Sequence, residues 1–155
     1  EKLERRGIRL VVETASVVPV VRGNKERLRQ VMEHLLNNAA EAVGEAQNLG
    51  VVSPLDSDSA AHLIRVTVNC DERMLHLIVS DTGPGFREPA RIFDPFYVGT
   101  EASAGEGAKV GLSLCHGIVR EHGGEISAFN LHPHGAAVMV DLPLSGMTHV
   151  TREVA

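Results

Sequence analysis

The stretch from Lys25 to Val43 constrains this chain more than any other. Leu28, Val31, Met32, Leu35, Leu36, Ala39, Ala40 and Val43 recur at spacings of three and four, which lines them up along one side of an α-helix. Asn24 precedes the run and can cap it, because its side-chain oxygen can accept a hydrogen bond from a free first-turn N–H. His34, Asn38, Glu41 and Glu45 form a polar stripe beside the apolar one. Such a helix must lay its apolar side on something, and the rest of the chain supplies strands. Ile8–Glu13 is β-rich. Val17–Val21 is too, but Pro19 limits it to an edge strand or a loop. Leu63–Asn69 and Met74–Ser80 read as strands joined by the turn Cys70–Arg73. Residues 48–61 have no period and read as a loop. A second helix is predicted from about Gly111 to His122, with Leu112, Cys115, Ile118 and Val119 inward and Gly123-Gly124 as its stop. Glu125–Asn130 and Ala136–Leu142 close the pattern as a hairpin around His132–Gly135. Adjacent strands in hairpins with two long helices imply an α+β fold, a two-layer α/β sandwich with helices on one face of a mostly antiparallel sheet.

A length of 155 residues fits one domain. We place it at residues 7–144, with 1–6 as the end of an upstream linker or helix and 145–155 as a frayed tail. The chain is expected to be part of a longer protein. Aromatics are only 3% of the residues, so the core must be aliphatic. The net charge of −5 argues against a nucleic-acid partner, which calls for a basic patch or stripe. Cys70 and Cys115 are far apart, show no metal-ligand spacing, and read as reduced structural thiols. No apolar run is long enough to cross a membrane and no signal peptide opens the chain. The reading is a cytoplasmic domain not inserted in a membrane, either free or as the cytoplasmic part of a membrane sensor.

Four segments carry residues suited to chemistry. In Gln30–Ala39, the amide oxygen of Asn38 could ligate a hard cation such as Mg²⁺, though an Asn on a helix surface is the commoner case. Asp81-x-Gly83-x-Gly85 follows a strand. Its carboxylate could accept from an exocyclic amine while bare glycine backbone approaches a ring, or the segment could be an ordinary turn. Arg91–Tyr97 holds Phe93, Phe96 and Tyr97, three of the five aromatics, and reads as a hydrophobic anchor for one end of a mobile lid. Pro95–Lys109 has few apolar residues and is expected to be that lid. Gly105–Leu114 is a glycine-rich loop feeding a helix, where free N–H groups can hold an anion. It matches neither the GxxxxGK[ST] phosphate loop nor a dinucleotide GxGxxG.

In this order and spacing, the four segments resemble the N, G1, F and G2 boxes of the catalytic domain of sensor histidine kinases. That domain has the Bergerat-type ATP-binding fold of the superfamily shared with gyrase, MutL and the large heat-shock chaperone. The likeness runs from about Ile8 to Pro143, and Gly111–Ile126 looks especially like kinases of the nitrogen- and oxygen-sensing type. The resemblance implies ATP and Mg²⁺ as cofactors. It assigns Asn38 to the metal and Asp81, Gly83 and Gly85 to the adenine pocket. Phe93 and Phe96 become the aromatic pair, and Gly105, Gly107, Gly111 and Leu112 the segment closing on the phosphates. It implies transfer of the γ-phosphate to a His on a separate dimerisation domain of a homodimeric kinase, and a response regulator receiver domain as the next partner. None of the eight histidines is followed by Asp or Glu, as the acceptor usually is, so the acceptor domain is expected upstream and this chain alone is expected to be inactive.

The chain departs from the pattern at three places. His34 stands where the kinases usually carry Asn and hydrolysing relatives a catalytic Glu. Lys109 stands where Gly is usual, and either supplies charge to the phosphates or spoils the glycine geometry and faces water. The segment between Phe86 and Ile92 is short, so the small helix often found there is expected to be lost. Two alternatives stay open: a degenerate ATP- or partner-binding module without turnover, and a serine kinase of the anti-sigma-factor type, which would want a Glu in place of His34.

Overall fold

The computed structural model describes residues 8–14, 17–49, 62–94, 102–144 and 146–149. Five strands form the main sheet: β1 (Arg9–Thr14), β3 (Leu63–Cys70), β4 (Met74–Asp81), β6 (Ala136–Pro143) and β5 (Glu125–Asn130), in the order β1-β3-β4-β6-β5. The pairings are antiparallel except for β1, which runs parallel to β3 with Arg9 opposite Leu63. Two helices, α1 (Lys25–Leu49) and α2 (Ala102–Glu121), pack on each other and on one face of the sheet. The α+β sandwich expected from the sequence is thus observed. A second sheet pairs β2 (Val17–Val20) with β7 (Gly146–His149), giving backbone partners to a stretch expected to fray.

Strand alternation decides which face is buried. Ile64 and Val66 of β3, Leu77 and Val79 of β4, and Val138, Val140 and Leu142 of β6 face the helices and are buried. They meet Val31, Leu35, Ala39, Ala40 and Val43 of α1 and Leu112, Cys115, Ile118 and Val119 of α2 in one core. Burial pushes the Cys115 thiol up to about 12, which keeps it protonated and unreactive.

The two helices are tied end to end. Asn24 caps α1, its Oδ1 accepting from the Arg27 N–H at 3.1 Å. Its own N–H donates to Nε2 of His122 at 3.0 Å, while His122 Nδ1 donates to the Ile118 carbonyl at 2.8 Å. His122 is therefore structural, and it serves two helices. At the same end, the Gly124 N–H bonds the Val119 carbonyl and the Gly123 N–H the Arg120 carbonyl, the 6→1 and 5→2 pattern that closes a helix with a left-handed glycine.

Two expectations need correction. Pro95–Lys109 was expected to be a mobile loop with the second helix starting near Gly111, but α2 begins at Ala102. Ala102, Ala104, Glu106, Ala108 and Lys109 are strong helix formers. Gly105 and Gly107 cost about 1 kcal/mol each against Ala, which extension of an existing helix can absorb because its nucleus is already formed. Residues 95–101, with Phe96 and Tyr97, lie outside the described residues, as do the side chains of 102–111. The helix expected to be missing between Phe86 and Ile92 is kept as a single 3₁₀ turn, Pro89–Arg91.

The outer face of the sheet carries a three-residue charge cluster. His76 Nδ1 lies 2.6 Å from Asp141 Oδ1 and its Nε2 3.2 Å from Asp71 Oδ2. The Asp141 hydrogen bond, then that of Asp71, raises the His76 pKa above its ordinary 6.5. The N–H groups of Arg73 and Met74, then His76, hold Asp71 down at about 2. A raised histidine stabilises the fold fully below the unfolded-state value and loses that contribution as pH rises through the folded-state one. Melting curves should therefore show stability falling as pH climbs above 6.5, and His76→Asn should flatten that part of the profile. Parallel profiles for parent and variant would remove the cluster from the stability account.

Candidate functional site

Asp81 is the last residue of β4, opposite Ile64 on one side and Ala136 on the other. Its side chain points to the helix layer and is the only buried polar or charged one among the described residues, at 6% exposure. Burial pushes its pKa up to about 6, against the pull of the Gly83 and Ala136 N–H groups and of nearby His134. Oδ1 accepts from the Gly83 N–H at 2.8 Å. A buried carboxylate with hydrogen-bonding capacity left over is suited to read a donor on a ligand.

The loop after Asp81 is placed by close contact. A Cβ on Gly83 would stand 2.7 Å from the carbonyl oxygen of Ala42 and 2.8 Å from its Cβ, so only glycine lets the loop sit this close to α1. Ala42 lies one helical turn beyond Asn38, so the two share a stripe, and His34 precedes them on it. Asn38 and His34 are half-buried, and Glu41, which this contact leaves aside, is exposed. The structure thus brings the first two segments together: the carboxylate loop touches the helix one turn from the candidate metal ligand. Gly85 has φ +94°, a conformation that side-chain-bearing residues rarely adopt.

Phe93 packs against the core beside buried Ile92, and its ring stacks on His116 of α2 at 5.9 Å between centroids. Leu112 is 1% exposed and belongs to the core. Gly105, Gly107 and Gly111 lie within α2, so the loop expected to cradle an anion is helical here. The Lys109 side chain is outside the described residues.

Sequence reasoning missed the residues that grip the loop from its far side. Asn130, at the end of β5, accepts from the Phe86 N–H at 2.7 Å and donates to the Phe86 carbonyl at 2.8 Å. His134, in the β5–β6 turn, lies 3.1 Å from the Thr82 carbonyl and 3.3 Å from that of Gly83 through Nδ1. Carbonyls only accept, so Nδ1 carries the hydrogen. Asn130 reads as the end of a strand and His134 as a turn residue, and only the β5–β6 and β4–β6 registers bring them to the loop.

Among the described residues no group of three or more His, Cys, Asp or Glu converges on a metal position, and no helix is long and apolar enough to cross a membrane.

The chain is similar in sequence and fold to known proteins. The family described as histidine kinase-, DNA gyrase B- and HSP90-like ATPase matches residues 23–146. The sensor protein KdpD of Escherichia coli K12 is 34% identical over 116 residues, 74% of this chain and 11% of KdpD. The sensory histidine kinase/phosphatase NtrB of Azospirillum brasilense is 32% identical over 145 residues, 90% of this chain and 34% of NtrB. The chain therefore spans a minor part of the length of these relatives. The nucleotide-free catalytic domain of histidine kinase ThkA superposes with a TM-score of 0.71 at 26% identity, covering 92% of this chain and 84% of that one. The same kinase in complex with response regulator protein TrrA gives 0.68 at 27% identity, over 92% and 36% of the chains.

The contact at Gly83 can be tested by contrast. Gly83→Ala should destabilise the domain in urea unfolding by about 1–3 kcal/mol, because the new methyl group is pushed into α1. Gly117→Ala, on α2 with nothing within 4 Å of the new Cβ, should stabilise by up to about 1 kcal/mol. Equal effects would mean that the loop does not depend on its seat against α1.

Proposed function

Because the chain belongs to the family of histidine kinase-, DNA gyrase B- and HSP90-like ATPases, we propose that it binds ATP with Mg²⁺ and presents the γ-phosphate to a histidine on a dimerisation domain of a two-component kinase. The observation that carries this reading is the buried Asp81 carboxylate, which heads a loop whose Gly83 touches α1 at Ala42, one helical turn from Asn38. The carboxylate accepts from the adenine amine, and the bare backbone of Gly83 and Gly85 flanks the ring. One amide oxygen suits Mg²⁺, which takes most of its ligands from water and phosphate, and Asn38 is the residue to supply it. Bound there, the ion neutralises phosphate charge. Phosphoryl transfer then needs positioning and charge stabilisation more than covalent chemistry from the protein.

In this reading, Gly105, Gly107 and Gly111 approach the phosphates once the first turns of α2 uncoil, and Lys109 adds its ammonium there. Phe93 and Phe96 hold the preceding segment. His34, on the Asn38 stripe, stands where a hydrolytic base would be and does not act as one, which suits phosphate transfer over hydrolysis. The acceptor domain and a response regulator are the partners. The second is supported by the structural likeness to ThkA, whose solved forms include a complex with a response regulator.

Asp81→Asn should weaken ATP binding by roughly ten- to a hundredfold without unfolding the domain, the scale of a lost hydrogen bond to a charged group. Titration calorimetry measures it, and parent-like affinity removes Asp81 from the adenine site. Asn38→Ala should lower Mg²⁺-dependent binding more than Mg²⁺-free binding, and equal losses would leave Asn38 a structural residue. Lys109→Gly should weaken ATP more than adenosine. Stronger ATP binding by that variant would show that Lys109 faces water and spoils the glycine geometry that closes on the phosphates.

The pH dependence has a definite sign. The amine favours the ionised carboxylate, so adenosine affinity should rise as pH climbs through about 6, where free Asp81 loses its proton. The unliganded domain should move oppositely: a carboxyl raised from 3.8 to about 6 lends stability at low pH that is lost across that window. Adenosine is the probe because it has no phosphate to titrate.

A further inference from the structure

We propose that Asn130 and His134 are positioning residues that set the selectivity of the site for adenine, by fixing the peptide planes of the Asp81–Phe86 loop. The proposal rests on the reading of Asp81 as the adenine acceptor and goes beyond it, since both residues act through the loop backbone.

The physical link runs through one peptide unit. A trans peptide is planar, with its C=O and N–H pointing in opposite directions. In the unit joining Thr82 to Gly83, the carbonyl faces His134 Nδ1 at 3.1 Å and the N–H faces Asp81 Oδ1 at 2.8 Å. Holding the carbonyl toward His134 therefore holds the N–H on one carboxylate oxygen, which fixes where the rest of that carboxylate's accepting capacity points. His134 also reaches the next carbonyl, of Gly83, at 3.3 Å. On the opposite flank, Leu63 of β3 bonds Thr82 twice, donating to its Oγ1 at 3.0 Å and accepting from its N–H at 3.2 Å.

Asn130 does the same at the far end of the loop. Gly85, at φ +94°, gives the chain wide conformational choice there. One amide side chain meets both the N–H and the carbonyl of Phe86, at 2.7 and 2.8 Å, and so selects one orientation. Asn130 is exposed, and a hydrogen bond made in competition with water contributes little to stability. Its effect is directional: it holds in one place a loop that would otherwise sample several.

The test compares binding of ATP and inosine triphosphate, which lacks the 6-amino group, with melting temperature recorded for each variant. Asn130→Ala and His134→Phe should each cut the ATP-to-inosine-triphosphate affinity ratio by about three- to tenfold, mostly through weaker ATP binding. His134→Asn should keep the parent ratio, because its amide nitrogen can stand where Nδ1 stands. Asn130→Ala, at an exposed position, keeps the test independent of any folding defect at His134. If Asn130→Ala and His134→Phe weaken both nucleotides in proportion, or leave the ratio unchanged, the two residues only brace the hairpin and the proposal is overturned. Asp81→Asn is the control for the underlying reading. If it collapses the ratio while the other variants do not, the adenine site stands and the positioning role falls. If it leaves the ratio intact, both fall together.

Discussion

The architecture turns on a carboxylate held out of water at the end of a central strand. An ionisable side chain with 6% exposure is tolerated only where hydrogen bonds meet it, and Asp81 receives them from Gly83 and Ala136. Both donors depend on larger features. The Gly83 N–H is in place because the loop lies flat against Ala42, and the Ala136 N–H because β6 pairs with β4 in the observed register. The helix, the neighbouring strand and the hairpin turn thus converge on one group. The remaining cost of burial appears as an elevated proton affinity, a cost that a hydrogen-bond donor on a ligand would offset under the proposed function.

The same economy separates the two titratable groups of β4. His76 shares its protons between two carboxylates on the outer face, is fully partnered, and has no remaining work to do. Asp81, on the inner face, keeps unused accepting capacity. Two titratable groups on one strand have opposite fates because β alternation sends their side chains to opposite sides.

Much of this was legible from residues alone. The apolar spacing of Leu28 to Val43 located α1, and Asn24 its start. Pro19 marked β2 as an edge, and the Gly123-Gly124 pair ended α2. The parallel pairing of β1 with β3 was hidden, because a β-rich hexapeptide carries no mark of its neighbour's direction. The start of α2 was misjudged because glycines were read as loop signals while the alanines between them favoured helix. At the site, Asp81 stood out by its place before two glycines. The grip of Asn130 and His134 on the loop after it could not be seen, since it joins positions more than forty residues apart that only strand register brings together.

The parallel strand at the edge has a kinetic consequence. β1 has one neighbour, exposes Leu10 and Val12, and reaches β3 only after the chain has passed through α1. Closing so long a loop costs entropy before any ladder bond repays it. β3 with β4 and β5 with β6 form two hairpins with short connections, joined through α2 and paired side by side at β4 and β6. Docking of β1 is therefore expected late in folding, and its release is expected among the cheaper openings of the main sheet, whose other edge is β5. Whatever is joined to the chain before residue 8 pulls on that strand first. A tug there would peel the sheet's edge while leaving the carboxylate loop, three strands in, undisturbed.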